Sequence, residues 1–350
     1  MAHGLRHWSR SLFGTPLNAA ITLACLALLA WAVPPLLSWA IVDATWTGTA
    51  DRCRDSGGAC WAFIGEKLRF ILFGFYAPDR HWRPAAAILL VLALVVVSGT
   101  PRLWRHRKVA VWAVVVWVAV LAACVTLLSG RPGGDAVPTD RWGGLPLTLL
   151  MAVIGMAGAF PLAILLALGR RSRMGLVRLF SILFIEVLRG VPLIAVLYTA
   201  SLLVPLMLPA GMDVDKLLRA QIAIVLFTSA YMAEIVRAGL QTIPAGQYEA
   251  AKSLGLGYWG MMRLVILPQA LRTVIPSMVN LGIGVLHETT LVIVIGLFDF
   301  LNTARSSASD PQWLGFYEEA FGFAALLYFL FCTLASRYGL WLEARLRRPG

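Results

Sequence analysis

Glu249-Ala250-Ala251-Lys252-Ser253-Leu254-Gly255, continuing to Ile266-Leu267-Pro268, is a short polar stretch between two long apolar segments of a 350-residue chain. Pro244 suits a first helical position, where its missing N–H costs nothing, and Gly255 suits the left-handed residue just past a helix end. The spacing therefore predicts a brief, sharply bounded helix at the mouth of a hydrophobic bundle. A segment this small buries no core of its own, so Ala250, Ala251 and Leu254 are expected to pack on neighbouring loops or on another protein. Read that way, the helix is a handle. The competing reading is an ordinary connecting loop.

Outward from this stretch the chain is 59% hydrophobic and only 14% charged, with a mean hydropathy of +0.77. These values place it among all-α integral membrane proteins, with lipid as the solvent for most of its surface. The net charge of +12 does not point to nucleic acid. Its Arg and Lys residues fall in short clusters between apolar segments, as orientation signals do, with no basic stripe interleaved with aromatics. The scattered His3, His7, His81 and His106 do not suggest a metal site.

Stretches of about twenty apolar residues predict about eight transmembrane helices, near 17–42, 84–100, 109–129, 144–169, 178–205, 217–240, 270–297 and 316–338. Arg6, Arg10, the Arg102–Lys108 and Arg170–Arg178 clusters, Arg237, Lys252, Arg263, Arg272 and the C-terminal arginines lie on one set of flanks. They outnumber the basic residues of the opposite flanks, many of which sit in one long loop, where they count least. Both termini and the handle are therefore expected on the cytoplasmic side of the membrane. The stretch from Leu17 exceeds a signal peptide's apolar region and reads as an uncleaved anchor.

The loop from Asp43 to Arg83 would then be external. It holds Cys53 and Cys60, a spacing compatible with a disulfide and equally with two free thiols. Within it, Phe63 to Tyr76 reads as a segment lying along the membrane surface. The Gly/Pro-rich run from Arg131 to Gly144 reads as a linker. It divides an N-terminal region of three spans and a long external loop, 1–143, from a second region, 144–340, and a basic tail, 341–350. Gly155, Gly158, Gly282 and Gly284 suit close helix packing.

Ionisable residues within spans are functional candidates by default. Glu186 and Arg189, three apart on a predicted helix, can pair on one face or meet a solute, and Gly190 and Pro192 interrupt the same span. Glu234 and Arg237 repeat the spacing near the cytoplasmic end, which favours a gate or an interhelical lock. His287, Glu288, Thr289 and Thr290 form the most polar run in any span. Glu288 could accept from a ligand ammonium, with Thr289 or Arg189 as donors, or could bond a neighbouring subunit.

From Gly144-Leu145-Pro146-Leu147-Thr148-Leu149 onward the chain resembles the polar-amino-acid permeases of bacterial ATP-driven (ABC) importers, most closely the general L-amino-acid type. Further residues that carry the likeness are Glu186-Val187-Leu188-Arg189-Gly190-Val191-Pro192, Ala233-Glu234-Ile235-Val236-Arg237-Ala238-Gly239 and Ile243-Pro244-Ala245-Gly246-Gln247-Tyr248-Glu249-Ala250-Ala251. Leu267-Pro268-Gln269-Ala270 and Leu291-Val292-Ile293-Val294-Ile295-Gly296-Leu297 follow. The resemblance implies a five-helix, MetI-like core in 144–340 whose handle, through Glu249, Ala250, Ala251, Gly255, Leu267 and Pro268, engages a cytoplasmic ATPase dimer. It also implies a second permease subunit, a related but different one being favoured over a copy of this chain, with a periplasmic binding protein, an L-amino acid substrate and no cofactor. The family usually has a Lys-Asp pair where this chain has His287-Glu288. Hydrolysis would belong to the ATPase, since no phosphate-cradling motif or nucleophile elbow is present. An ion-coupled secondary transporter would need paired broken helices in internal repeats. A membrane enzyme would need catalytic residues clustered at one face.

Overall fold

The computed structural model describes residues 12–100, 107–130, 136–209, 211 and 214–346, with backbone alone at 107–111 and 346. The expected flanking cations Arg6, Arg10, Arg102, Arg105, Arg131, Arg347 and Arg348 lie outside the described residues. The chain forms two compact units, one of residues 1–68 and 308–322, the other of 69–307 and 323–350. The division does not fall at the 143/144 boundary read from the sequence.

In the first unit, α1 (Pro16–Leu37) opens on Thr15, whose side chain accepts from the Asn18 N–H at 3.2 Å, and on Pro16 at its first turn. It is apolar all round and none of its residues is buried, as suits a helix surrounded by lipid. After it, α2 (Ala50–Ser56) ends on left-handed Gly57. Cys53 and Cys60 are joined, with Cα atoms 5.4 Å apart. Just beyond, α3 (Trp61–Phe73) begins.

The stretch Phe63 to Tyr76 turns one apolar face onto the protein itself. Phe63 is fully buried against Trp313 and Phe316, at ring-centroid distances of 5.8 and 5.9 Å. Farther along, Ile71 is fully buried and the Tyr76 hydroxyl donates to the Leu128 carbonyl at 3.0 Å. The amphipathic pattern is a core-facing one, which hydropathy alone does not separate from an interfacial helix. The Cys60 N–H donates to buried Glu319 at 2.8 Å, and Lys67 pairs with Asp310 at 2.9 Å. The hydrogen bond from Lys67 holds the Asp310 carboxyl below its ordinary range.

The second unit is built around α6 (Gly144–Arg170) and α10 (Lys216–Gln241), which pack along each other. Small residues permit this approach: a Cβ on Gly155 would meet Ile224 at 2.9 Å, and one on Gly158 would meet Val225 at 3.0 Å. Around this pair lie α4 (Trp82–Ser98) with α5 (Arg107–Ser129), and α7 (Gly175–Gly190) followed by α8 (Leu193–Tyr198) and α9 (Val204–Met207). Then come α11 (Ala245–Ser253), α12 (Tyr258–Met261), α13 (Leu267–Glu288), α14 (Phe300–Ser307) and α15 (Tyr317–Leu346).

Among the described residues six helical segments are long and apolar enough to cross a membrane, and the bent pair Gly175–Gly190 with Leu193–Met207 makes at most seven. The eighth expected span is α4, whose 17 residues are too few for that count; at 1.5 Å per residue it reaches roughly 26 Å, short of a ~30 Å hydrocarbon core. The expected span 178–205 bends by 105° at its break. Expected span 270–297 is α-helical only to Glu288 and then tightens into a 3₁₀ turn, Thr289–Ile295, ending on left-handed Gly296. Helix α15 runs on to Leu346, so residues 341–346 of the expected tail are helix.

Candidate functional site

The handle is α11. Pro244 stands at its N-cap rather than inside its first turn, with extended ψ of 145°, and its carbonyl accepts from the Gln247 N–H at 3.0 Å. At the other end the Leu256 N–H donates to the Ala251 carbonyl at 3.2 Å and the Gly255 N–H to Lys252 at 2.9 Å, with Gly255 at φ +75°. This is a Schellman closure, which needs a residue free to adopt the left-handed region. The expected apolar face is only partly used. Ala251 is buried with Val236, Leu240, Met262, Ile266 and Ala270, and Leu256 and Leu267 pack against that cluster. Ala250 is exposed and Leu254 is 79% exposed, so both lie off the face that packs on the chain itself.

Polar ties fix the handle to the bundle. The Arg171 guanidinium donates to the Leu240 carbonyl at 3.2 Å and to the Tyr248 hydroxyl at 3.3 Å. Gln269, one residue past exposed Pro268, donates to Gln247 at 3.0 Å. Together with the Tyr248 hydroxyl, which donates to the Leu240 carbonyl at 3.3 Å, these contacts join α11 to α6, α10 and α13. Glu249 itself is exposed in the middle of the helix.

Above the handle, charges from three helices converge. Arg170 of α6 meets Glu234 of α10 at 2.5 Å and Glu186 of α7 at 2.8 Å, and Glu234 also accepts from Arg237 at 2.7 Å. Of the two readings open for Glu186 and Arg189, the mutual pair does not form, and Glu186 meets Arg170. Arg189 instead lies 5.6 Å from the Tyr231 ring centroid, and the Tyr231 hydroxyl donates to the Arg189 carbonyl at 3.4 Å, near the break after Gly190.

Past the break, α8 packs against the 3₁₀ turn Thr289–Ile295, which brings the broken span beside the polar run. His287 stacks on Tyr328 with centroids 5.5 Å apart, and its Nδ1 lies 2.8 Å from the Ile283 carbonyl. The half-buried Glu288 carboxylate has no hydrogen-bond or ionic partner among the described residues. Thr289 is fully buried and its hydroxyl donates to the Leu286 carbonyl at 2.8 Å, so it is not presented to a solute in this conformation. The Thr290 hydroxyl is likewise used, on the His287 carbonyl.

Sequence reading missed Asp299. It is fully buried and accepts from the Leu301 and Asn302 N–H groups at 3.1 and 3.2 Å, capping α14, and also from the Asn302 side chain and the Tyr328 hydroxyl. Burial pushes its carboxyl up, against the pull of those hydrogen bonds. Its one sequence signal is an acid between apolar residues shortly after a span. An apolar cavity of about 270 Å³, lined by Val125, Trp142, Leu147, Met151 and Leu218 among others, contains none of the candidate residues.

Residues 159–348 match the family of binding-protein-dependent transport system inner membrane components. The chain belongs to that family. Within it the likeness is to amino-acid ABC transporter permeases. The inner membrane amino-acid ABC transporter permease YhdY of Escherichia coli is 46% identical over 348 residues, covering 97% of this chain and 92% of that protein. The glutamate/glutamine/aspartate/asparagine transport system permease BztC of Rhodobacter capsulatus is 37% identical, covering 99% of this chain and 94% of that one. A crystal structure of an amino acid ABC transporter with histidines aligns at 32% identity and a TM-score of 0.51, over 58% of this chain and 92% of that chain. The likeness to YhdY and BztC thus extends over nearly the whole chain, whereas the solved structure matches 58% of it.

Proposed function

We propose that this permease is one membrane subunit of an ATP-driven amino acid importer. It receives L-amino acids from a periplasmic binding protein and pairs with a second, different permease subunit. ATP is hydrolysed on a separate cytoplasmic ATPase dimer. The observation that carries this reading is α11: a nine-residue helix closed by Gly255, tied by Arg171 and Gln269 to three core helices, with Glu249, Ala250 and Leu254 left exposed for a partner. Seating those side chains in a groove of the ATPase lets its closure move α6, α10 and α13 together.

In this reading Arg170, Glu186, Glu234 and Arg237 lock three helices near the cytoplasmic end. Glu288, the partnerless carboxylate beside the broken span, faces the amino acid and accepts from its ammonium. With α4 counted as a crossing segment, both termini lie in the cytoplasm and the Cys53–Cys60 loop lies outside, where a disulfide persists. Conversion of Glu249→Arg or Gly255→Asp is expected to abolish amino-acid uptake and substrate-stimulated ATP hydrolysis in cells that still insert the subunit normally. Undiminished transport by both variants removes the reading.

A further inference from the structure

We infer that Asp299 is a positioning residue for the transported amino acid, holding the end of α13 in place through Asn302 and Tyr328. The inference rests on the reading that Glu288 faces that solute. A helix cap needs one short acceptor, which Ser, Thr or Asn supplies without burying a charge. Asp299 goes further. Besides capping α14, it takes one N–H of the Asn302 carboxamide, whose amide nitrogen also reaches the Thr290 carbonyl at 3.1 Å. That carbonyl lies two residues beyond Glu288, where the α-helix has given way to the 3₁₀ turn.

The second link runs through α15. Tyr328 donates to the other carboxylate oxygen at 3.3 Å, while its ring is stacked on His287, the residue just before Glu288. Asp299 therefore holds the polar run from both sides, and the adjoining Phe300 N–H is anchored on Thr148 of α6 at 2.8 Å. The carboxylate takes four hydrogen bonds from three residues, which together fix its orientation. Glu288, with no partner of its own, depends on that frame for its position.

The test uses the transporter assembled with its partner subunits in nanodiscs and L-glutamate as probe, reading ATPase stimulation against amino acid concentration. Asp299→Asn and Glu288→Gln are each expected to raise the half-saturating concentration about tenfold, with the maximal rate within about twofold of the parent. Tyr328→Phe, which keeps the ring and removes the hydroxyl, is expected to raise it about threefold. The Asp299→Asn/Glu288→Gln double variant should be no worse than the more severe single one, because both act on one contact. Multiplying effects, or a fall in maximal rate alone, would overturn the inference. Glu288→Gln active with Asp299→Asn and Tyr328→Phe silent sinks the inference and leaves the Glu288 reading standing. A silent Glu288→Gln sinks that reading and the inference with it. If Asp299→Asn fails to assemble, Tyr328→Phe decides on the same criteria.

Discussion

Glu234 accepts from Arg170 and Arg237 with a side chain only 16% exposed, whereas Glu186, sharing Arg170, is 52% exposed. The network's strength therefore resides at Glu234, and the outer contact to Glu186 is screened by solvent. Replacing Glu234 with Gln keeps its shape and removes the charge that two guanidinium groups meet. Discounted for the partial exposure of the arginines, the loss is about 1 kcal/mol. It is measured as lower thermal stability of the detergent-solubilised chain, and Glu186→Gln should cost less. Equal effects, or none from Glu234→Gln, would show that the three helices are not held here. The Glu234–Arg237 contact was legible because it lies within one helix at a spacing that places both residues on one face. Arg170 was not legible as the hub, since its partners lie 16 and 64 residues away along the chain and meet it only through the packing of α7 and α10 on α6.

At the level of elements, helix approach is governed by the absence of side chains at crossing points. A Cβ on Gly239 would stand 2.7 Å from both the Ala270 carbonyl and Val274, so α10 and α13 cannot keep their separation around a larger residue. Gly284, expected to serve the same purpose, has nothing within 4 Å of its Cβ position among the described residues. Gly239→Leu should therefore destabilise the isolated subunit by about 1–3 kcal/mol, while Gly284→Leu should leave it nearly unchanged. Thermal unfolding of the two variants side by side checks this, and a Gly284→Leu defect equal to that of Gly239→Leu would contradict it. The break after α7 was readable because Gly190 and Pro192 act on their own backbone. The switch to 3₁₀ geometry after Glu288 was not, because no proline or glycine marks it and its supports arrive from Asn302 and α8.

Across the whole molecule, acid should act first where an exposed carboxylate depends on a cation. Lys67 lowers the folded-state pKa of Asp310, so the pair stabilises the first unit above the ordinary carboxylate range, and that contribution is lost as pH falls through the depressed value. Melting temperature followed downward from about pH 5 should fall more steeply for the parent chain than for Lys67→Met. Identical slopes would mean that the pair contributes nothing to folding. The sequence by itself determined the lipid solvent, nearly all of the apolar segments, the break near Pro192 and the handle closed at Gly255, because each depends on neighbours along the chain. Tertiary structure alone decided that Ala251 turns inward while Leu254 stays exposed, that Arg170 takes Glu186, and that Asp299 frames the polar run. The physical reason is rotation: hydropathy sets how long a helix in lipid is but not which face meets its neighbour, and that choice is made by small-residue contacts and polar pairing between distant segments.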